Sequence, residues 1–312
     1  MTAAADGTGY QGVHLLCLGL GYTARALARR VGPRGVTISG TARTPTSAAA
    51  ITAEGWRGLV LDGAVASPDL AQALAQATHV LISAGPDATG DPILTRLGPA
   101  LGRASRLSWV GYLSTIGVYG DRSGDWIDET TPPRDPGERG QRRLDAECAW
   151  LAFGTEHGKR VEVFRLPGIY GPGRSAVDQL LAGTARRIAK PGQVFNRIHV
   201  DDIAQALEAA MMRPAGHTIY NIVDDEPAPA DEVVAYAAGL LGVPVPPLVA
   251  IEDAQLSPMA ASFYRQSKRV GNRRMKAALG VDLVHPTYRE GLAAIVRAMR
   301  AEPNSGSHQT VS

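Results

Sequence analysis

Residues 13–28 constrain the fold more than any other stretch of the chain. They read Val-His-Leu-Leu-Cys-Leu-Gly-Leu-Gly-Tyr-Thr-Ala-Arg-Ala-Leu-Ala. An apolar run rich in strand formers stops at Gly19, and an Ala/Leu/Arg-rich run with helical character follows at once, which spells strand, tight turn and helix. Gly19 and Gly21 fall where such a turn needs a positive φ and close approach of a ligand, and Ala24 takes the third small position of a G-x-G-x-x-G/A pattern. The free N–H groups that open the helix at Tyr22 and Thr23 suit a pyrophosphate. A glycine-rich turn of purely structural meaning is the alternative.

The second strand expected, residues 36–41, ends where a dinucleotide fold meets the adenosine ribose. An NAD enzyme commonly places Asp or Glu about 20 residues beyond the glycines to hold the 2′-hydroxyl. This chain offers Thr41-Ala42-Arg43. Arg43 suits a 2′-phosphate and no carboxylate repels it, which favours NADP and leaves NAD open. The plainer reading of Arg43 is a surface arginine in a βα loop.

Further strands are expected at residues 59–61, 79–83, 107–113 and 161–165. They deliver Asp62-Gly63, then Ser83-Ala84-Gly85, then Ser114-Thr115, to one sheet edge. Small residues at 83–85 let the middle of a cofactor lie flat. Asp91 reads as the cap of the helix that follows, with Pro92 at its first position. Strands alternating with helices imply a parallel sheet with helices on both faces and ligands at the strands' carboxyl ends. The fold class expected is α/β, a Rossmann-type doubly wound parallel sheet with a smaller C-terminal substrate lobe.

The expected organisation is a disordered tail over 1–11 and a dinucleotide-binding domain over 12–173, to which 199–223 return. A substrate lobe is expected from 174–198 and 224–300, with a disordered tail over 301–312. Within the lobe, residues 177–189 and 267–279 each read as one helix. The loop 121–137, carrying Trp126, is long enough to cover a site.

Across 312 residues the net charge is +2, with basic residues dispersed, so no footprint for nucleic acid is present. No apolar run approaches the roughly 20 residues that span a bilayer, and residues 1–11 lack the pattern of a signal peptide, so a cytoplasmic protein without a membrane partner is expected. Cys17 and Cys148 both read as small core residues, with no disulfide. No metal site is expected. A hydrolase elbow, an H-E-x-x-H helix and a P-loop are all missing.

Several motifs, in order, resemble landmarks of the short-chain dehydrogenase/reductase superfamily in its extended, epimerase/dehydratase-like branch. They are Gly19-x-Gly21-x-x-Ala24, Asp62-Gly63, Ser114-Thr115 with Val118-Tyr119-Gly120, residues 165–173 (Arg-Leu-Pro-Gly-Ile-Tyr-Gly-Pro-Gly), His199-Val200-Asp201-Asp202 and residues 220–227. The resemblance covers about Val13 to Ala298. It implies that Thr115 hydrogen-bonds a substrate oxygen and that Leu166, Pro167 and Gly168 lie beside the cofactor. It also implies a Tyr-x-x-x-Lys motif opening the helix after the long loop, where this chain reads Arg139-Gly140-Gln141-Arg142-Arg143. The chain is therefore similar to atypical members that lack the catalytic tyrosine.

Arg143 can still hold a ribose, because Arg donates five hydrogen bonds. Arg139 has no accessible neutral form and cannot act as a general acid–base near neutral pH. Tyr119, four residues after Thr115, is the best substitute proton carrier and equally reads as a packed aromatic. Tyr170 and His199 are weaker candidates; Ser114, Trp126, Arg139, Tyr170, Arg174 and His199 are the residues expected near substrate.

Two functions follow. The first is an NADP-leaning oxidoreductase or epimerase-like enzyme acting on a small carbonyl, hydroxyl or nucleotide-sugar-like substrate. The second is a non-catalytic NADP sensor or regulatory protein. A homodimer is left open.

Overall fold

The computed structural model describes residues 7–62, 67–213 and 218–301. In its first half, strands β1 (His14–Leu18), β2 (Thr37–Ala42), β3 (Arg57–Val60), β4 (His79–Ile82) and β5 (Trp109–Thr115) alternate with helices α1 (Tyr22–Val31), α2 (Pro45–Ala53), α3 (Pro68–Gln76) and α4 (Pro92–Arg103). The short strand β6 (Trp126–Ile127), the long helix α5 (Gly137–His157) and strand β7 (Arg160–Leu166) follow. Beyond them come β8 (Gly168–Tyr170), α6 (Ala176–Leu181), β9 (Arg187–Ala189), β10 (Arg197–His199), α7 (Val200–Met212) and β11 (Thr218–Asn221). The chain closes with α8 (Ala230–Leu241), β12 (Leu248–Ala250), α9 (Pro258–Tyr264), β13 (Arg269–Val270), α10 (Arg273–Leu279) and α11 (Tyr288–Ala301).

Seven strands form one parallel sheet in the order β3-β2-β1-β4-β5-β7-β11, the doubly wound arrangement expected. Residues alternate across it. In β1, Leu15 and Cys17 join the core beneath α1, α7 and α10, while Leu16 and Leu18 join the one beneath α3, α4 and α5. Both faces are covered, which is why β1 is buried at every position and apolar from Leu15 to Leu18. Parallel strands end at a common edge, so the turns after β1, β2, β4, β5 and β7 lie together there. Asp91 caps α4 by accepting from the N–H groups of Ile93 and Leu94 at 2.9 Å, as its sequence context predicts.

A third core, with Val177, Val233, Tyr288, Leu292 and Ile295, joins α6, α8 and α11 away from the sheet. Here the single helix expected over 177–189 is corrected. It stops at Leu181 because Gly183 takes a φ of +66°, and residues 187–189 go on to pair with β12. The helix expected over 267–279 also starts late. Arg269–Val270 are held extended by pairing with Trp126–Ile127, and helix begins at Arg273.

Cys17 is buried but Cys148 is exposed, which corrects its reading as a core residue. At the N-terminus, Gly7–Tyr10 form a 3₁₀ turn, and the buried Tyr10 donates its hydroxyl to Glu208 at 2.7 Å; these residues are therefore ordered, not a disordered tail. The rest of both expected tails, 1–6 and 302–312, lies outside the described residues, as does Gly63. Among the described residues no helix is long and apolar enough to cross a membrane.

Candidate cofactor and substrate site

The turn after β1 is built by its neighbours. Gly19 takes φ +95°, its N–H donates to Thr41 Oγ1 at 2.8 Å, and its carbonyl accepts from the Ser83 hydroxyl. A Cβ on Gly19 would lie 2.8 Å from Ser83 Oγ, so both backbone and packing require glycine there. Gly21 differs. Its φ is −88°, a Cβ on it would meet nothing within 4 Å, and no side chain caps α1, which starts at the next residue. An uncapped helix N-terminus under open space is what an anion-binding turn requires. Thr23 and Ala24 are buried behind it.

Tyr22 reaches across the edge. Its hydroxyl donates to the Pro172 carbonyl at 3.1 Å, and Arg174 sits over its ring at 5.8 Å. Gly171 makes this approach possible, since a Cβ there would be 2.5 Å from the Tyr22 hydroxyl oxygen. Arg43, just past β2, is exposed and its guanidinium has no hydrogen bond or ion pair among the described residues. Asp62 is also exposed.

Arg143 lies between strands. Its Nη1 donates to the Leu113 carbonyl at 2.9 Å, and its Nη2 occupies the space over Gly85, where a Cβ would be 2.7 Å away. Gly140 lets α5 settle on the turn after β5, for its Cβ would meet the Gly117 carbonyl at 3.0 Å. The helix turn bearing Arg139 and Arg143 therefore stands beside Thr115, and the four-residue spacing puts both arginines on one helix face. Arg139 is exposed and has no partner among the described residues. Thr115 is half-buried, and its Oγ1 accepts from the Gly117 N–H at 3.1 Å.

Other expected site residues turn away. The chain does become helical after Thr115, at Ile116–Tyr119, yet the Tyr119 side chain is fully buried and donates to Asn221 Oδ1 at 2.8 Å. Arg165 lies 4.7 Å from the centre of its ring. Burial pushes the Tyr119 hydroxyl pKa up. This placement corrects the expectation of a proton carrier: the residue is a packed aromatic. Ser114 is likewise buried and donates to Glu147 Oε1 at 2.5 Å. Trp126 is 63% exposed on β6.

Glu147 and Arg165 form a buried ion pair, 2.6 Å at its shortest, that sequence reasoning missed. Nothing local signals it. The two residues sit on α5 and β7, and only the folded packing of helix on strand brings them together.

On the lobe side, a cleft of about 680 Å³ opens next to the turn after β7, with Gly168, Tyr170 and Arg174 among its walls. Arg186 and Arg197 line it as well, against one carboxylate, Asp178. Arg197 is half-buried and anchored by Nη1 to the carbonyls of Phe195 and Ala228, each at 2.9 Å. Tyr170 is buried with its hydroxyl on the Thr287 carbonyl at 3.3 Å. His199 is 2% exposed and caps α7, its Nδ1 accepting from the Asp201 N–H at 3.2 Å, and burial lowers its pKa to about 4. A buried, largely neutral imidazole committed to a helix cap corrects the expectation that His199 faces substrate.

No family model matches the chain. A functionally unknown conserved protein from Silicibacter pomeroyi is similar over almost the whole length, with 49% identity, 92% of this chain and 99% of that one covered, and a TM-score of 0.83. A Methylobacillus flagellatus protein described as a candidate NAD-dependent epimerase/dehydratase is 25% identical, with the same coverage and a TM-score of 0.68. These likenesses are to NAD-dependent epimerase/dehydratase-like proteins of the short-chain dehydrogenase/reductase type. A 3-diazoavenalumate denitrifying reductase of a Streptomyces species is 30% identical over 183 residues, 53% of this chain and 58% of its own. The human epimerase family protein SDR39U1, solved with NADPH, shares the fold at 19% identity, with 91% and 99% of the two chains covered and a TM-score of 0.70.

Proposed function

We propose that this protein is an NADP-leaning reductase or epimerase-like enzyme of the atypical, extended type, acting on an anionic carbonyl or hydroxyl compound. The observation that carries the reading is the juxtaposition, on one sheet edge, of the uncapped N-terminus of α1 beneath open space and the unpartnered guanidinium of Arg43. The residues fit a nicotinamide dinucleotide. Gly19, Gly21, Tyr22 and Thr23 would receive its pyrophosphate, Arg43 its 2′-phosphate, and Arg143 with Ser83, Ala84 and Gly85 its middle. Leu166, Pro167 and Gly168 would flank the nicotinamide end. Bound there, the cofactor supplies or accepts hydride. The NADPH of the human structure and the reductase activity named for the Streptomyces relative agree with that chemistry.

Thr115 then orients the reacting oxygen by hydrogen bonding. The Arg139 guanidinium stabilises negative charge developing on that oxygen and leaves the proton to come from solvent. Arg174, Arg186 and Arg197 give the adjoining cleft an excess of positive charge over Asp178, which suits a phosphate, carboxylate or nucleotide-sugar diphosphate.

Arg139 in the tyrosine's place and the sealed Tyr119 favour a second reading, a non-catalytic NADP sensor. Deuteride transfer from 4-deuterated NADPH to a panel of anionic carbonyl compounds separates the two. The enzyme reading expects label in at least one product, with the rate lowered about 10²–10⁴-fold by Thr115→Val. Tight NADPH binding without transfer to any member of the panel supports the sensor.

A further inference from the structure

Beside Tyr170, two imidazoles and a carboxylate meet. The rings of His199 and His285 lie 3.9 Å apart between centroids, and Asp201 Oδ2 is 3.5 Å from His199 Nδ1 and 3.8 Å from His285 Nε2. One ligand atom from each residue lies within 4.8 Å of the others. We propose that His199, Asp201 and His285 form a binding site for a divalent transition-metal ion of the zinc class.

Several independent features support this assignment. The donor set is two imidazole nitrogens and one carboxylate oxygen, the combination that suits zinc and its neighbours and not magnesium or calcium, which prefer all-oxygen sites. Bonds of about 2.0–2.2 Å in tetrahedral geometry bring donors roughly 3.3 Å apart, against 3.5 and 3.8 Å from Asp201 Oδ2 to the two imidazoles. Both histidines are buried, whereas the Asp201 side chain is 60% exposed, which leaves a solvent approach and room for a water as fourth ligand.

The site is also braced. Asp202 accepts from the N–H groups of Val284 and His285 at 2.6 and 3.0 Å, fixing the backbone that presents His285. Tyr170 stands edge-on to the His199 ring at 5.2 Å. His199 Nε2 is buried with no hydrogen-bond partner, and Nδ1 holds only the 3.2 Å cap bond from Asp201 N–H. Because Nδ1 accepts the cap bond, the neutral ring carries its proton on Nε2, which has no acceptor, and an ion at Nδ1 would take over the lone pair that the cap bond uses. An ion there would tie the start of α7 to the segment leading into α11, joining the sheet domain to the lobe. The sequence hides the site because His285 comes from a loop more than 80 residues beyond Asp202.

The test is calorimetric titration of Zn²⁺ into the purified, tag-free, metal-stripped protein, with Mg²⁺ as control. The expectation is about one equivalent of Zn²⁺ bound with micromolar or tighter affinity and no response to Mg²⁺. Asp201→Asn, at an exposed side chain, and His285→Gln should each weaken Zn²⁺ at least about tenfold. Co²⁺ substitution should give visible d–d absorption that His285→Gln abolishes. Millimolar Zn²⁺ binding by the wild type, or affinity unchanged in Asp201→Asn, overturns the proposal, and neither result bears on NADPH binding.

Discussion

At the scale of single residues, Gly19 and Gly21 read alike in the sequence and serve different needs in the structure. Gly19 is required by the fold, through its positive φ and the contact with Ser83. Gly19→Ala should therefore cost about 1–2 kcal/mol of stability, read by chemical denaturation. Gly21→Ala should cost no more than about 1 kcal/mol, the difference between Gly and Ala at a helix cap. It should nevertheless weaken dinucleotide binding at least about tenfold, because its Cβ enters space that only a ligand would use. The Glu147–Arg165 pair gives another residue-level expectation. Glu147→Ala leaves a buried guanidinium uncompensated and should lower the unfolding free energy by about 3–5 kcal/mol. Replacing both partners together with Leu and Met should recover much of that loss.

Asp224 sets a pH dependence. It is 2% exposed, its Oδ2 has no hydrogen-bond partner, and burial raises its pKa to about 8. A carboxyl raised in the folded state holds its proton more firmly there than in the unfolded chain. Its contribution to stability is thus complete below the unfolded value of about 3.9 and is lost as pH rises through about 8. Denaturation of wild type and Asp224→Asn across that window should show the wild type losing stability, relative to the variant, as pH rises.

At the scale of elements, what could be read from the sequence was what is decided locally. The strand–turn–helix at 14–31 and the Asp91-Pro92 start of α4 depend on neighbours in the chain, and both are present. The β6–β13 pair joins segments far apart in sequence, each only two residues long, and leaves no periodicity to detect. The same reason hid the true start of α10. Tyr119 illustrates the limit at the site: spacing correctly placed it on a helical turn after Thr115, but not which way its ring faces, which the packing of β7 and β11 decides. The close seating of α5 makes its own prediction. Gly140→Val should push α5 off the Gly117 carbonyl and, by shifting Arg143, weaken NADPH binding at least about tenfold while the chain still folds.

At the scale of the whole molecule, five strand ends, one helix N-terminus and an arginine-lined cleft lie side by side. That arrangement follows from parallel strand order, and parallel order follows from the alternation of strands and helices along the chain. Holding a dinucleotide is thus a property of the architecture, and choosing NADP is a property of Arg43. The most direct measurement is titration of NADPH and NADH into the wild type and Arg43→Ala. The wild type should bind NADPH more tightly than NADH, and Arg43→Ala should reduce that preference roughly ten- to hundredfold while leaving NADH affinity in place. An unchanged NADPH/NADH ratio in Arg43→Ala, or no binding of either dinucleotide by the wild type, would contradict the account.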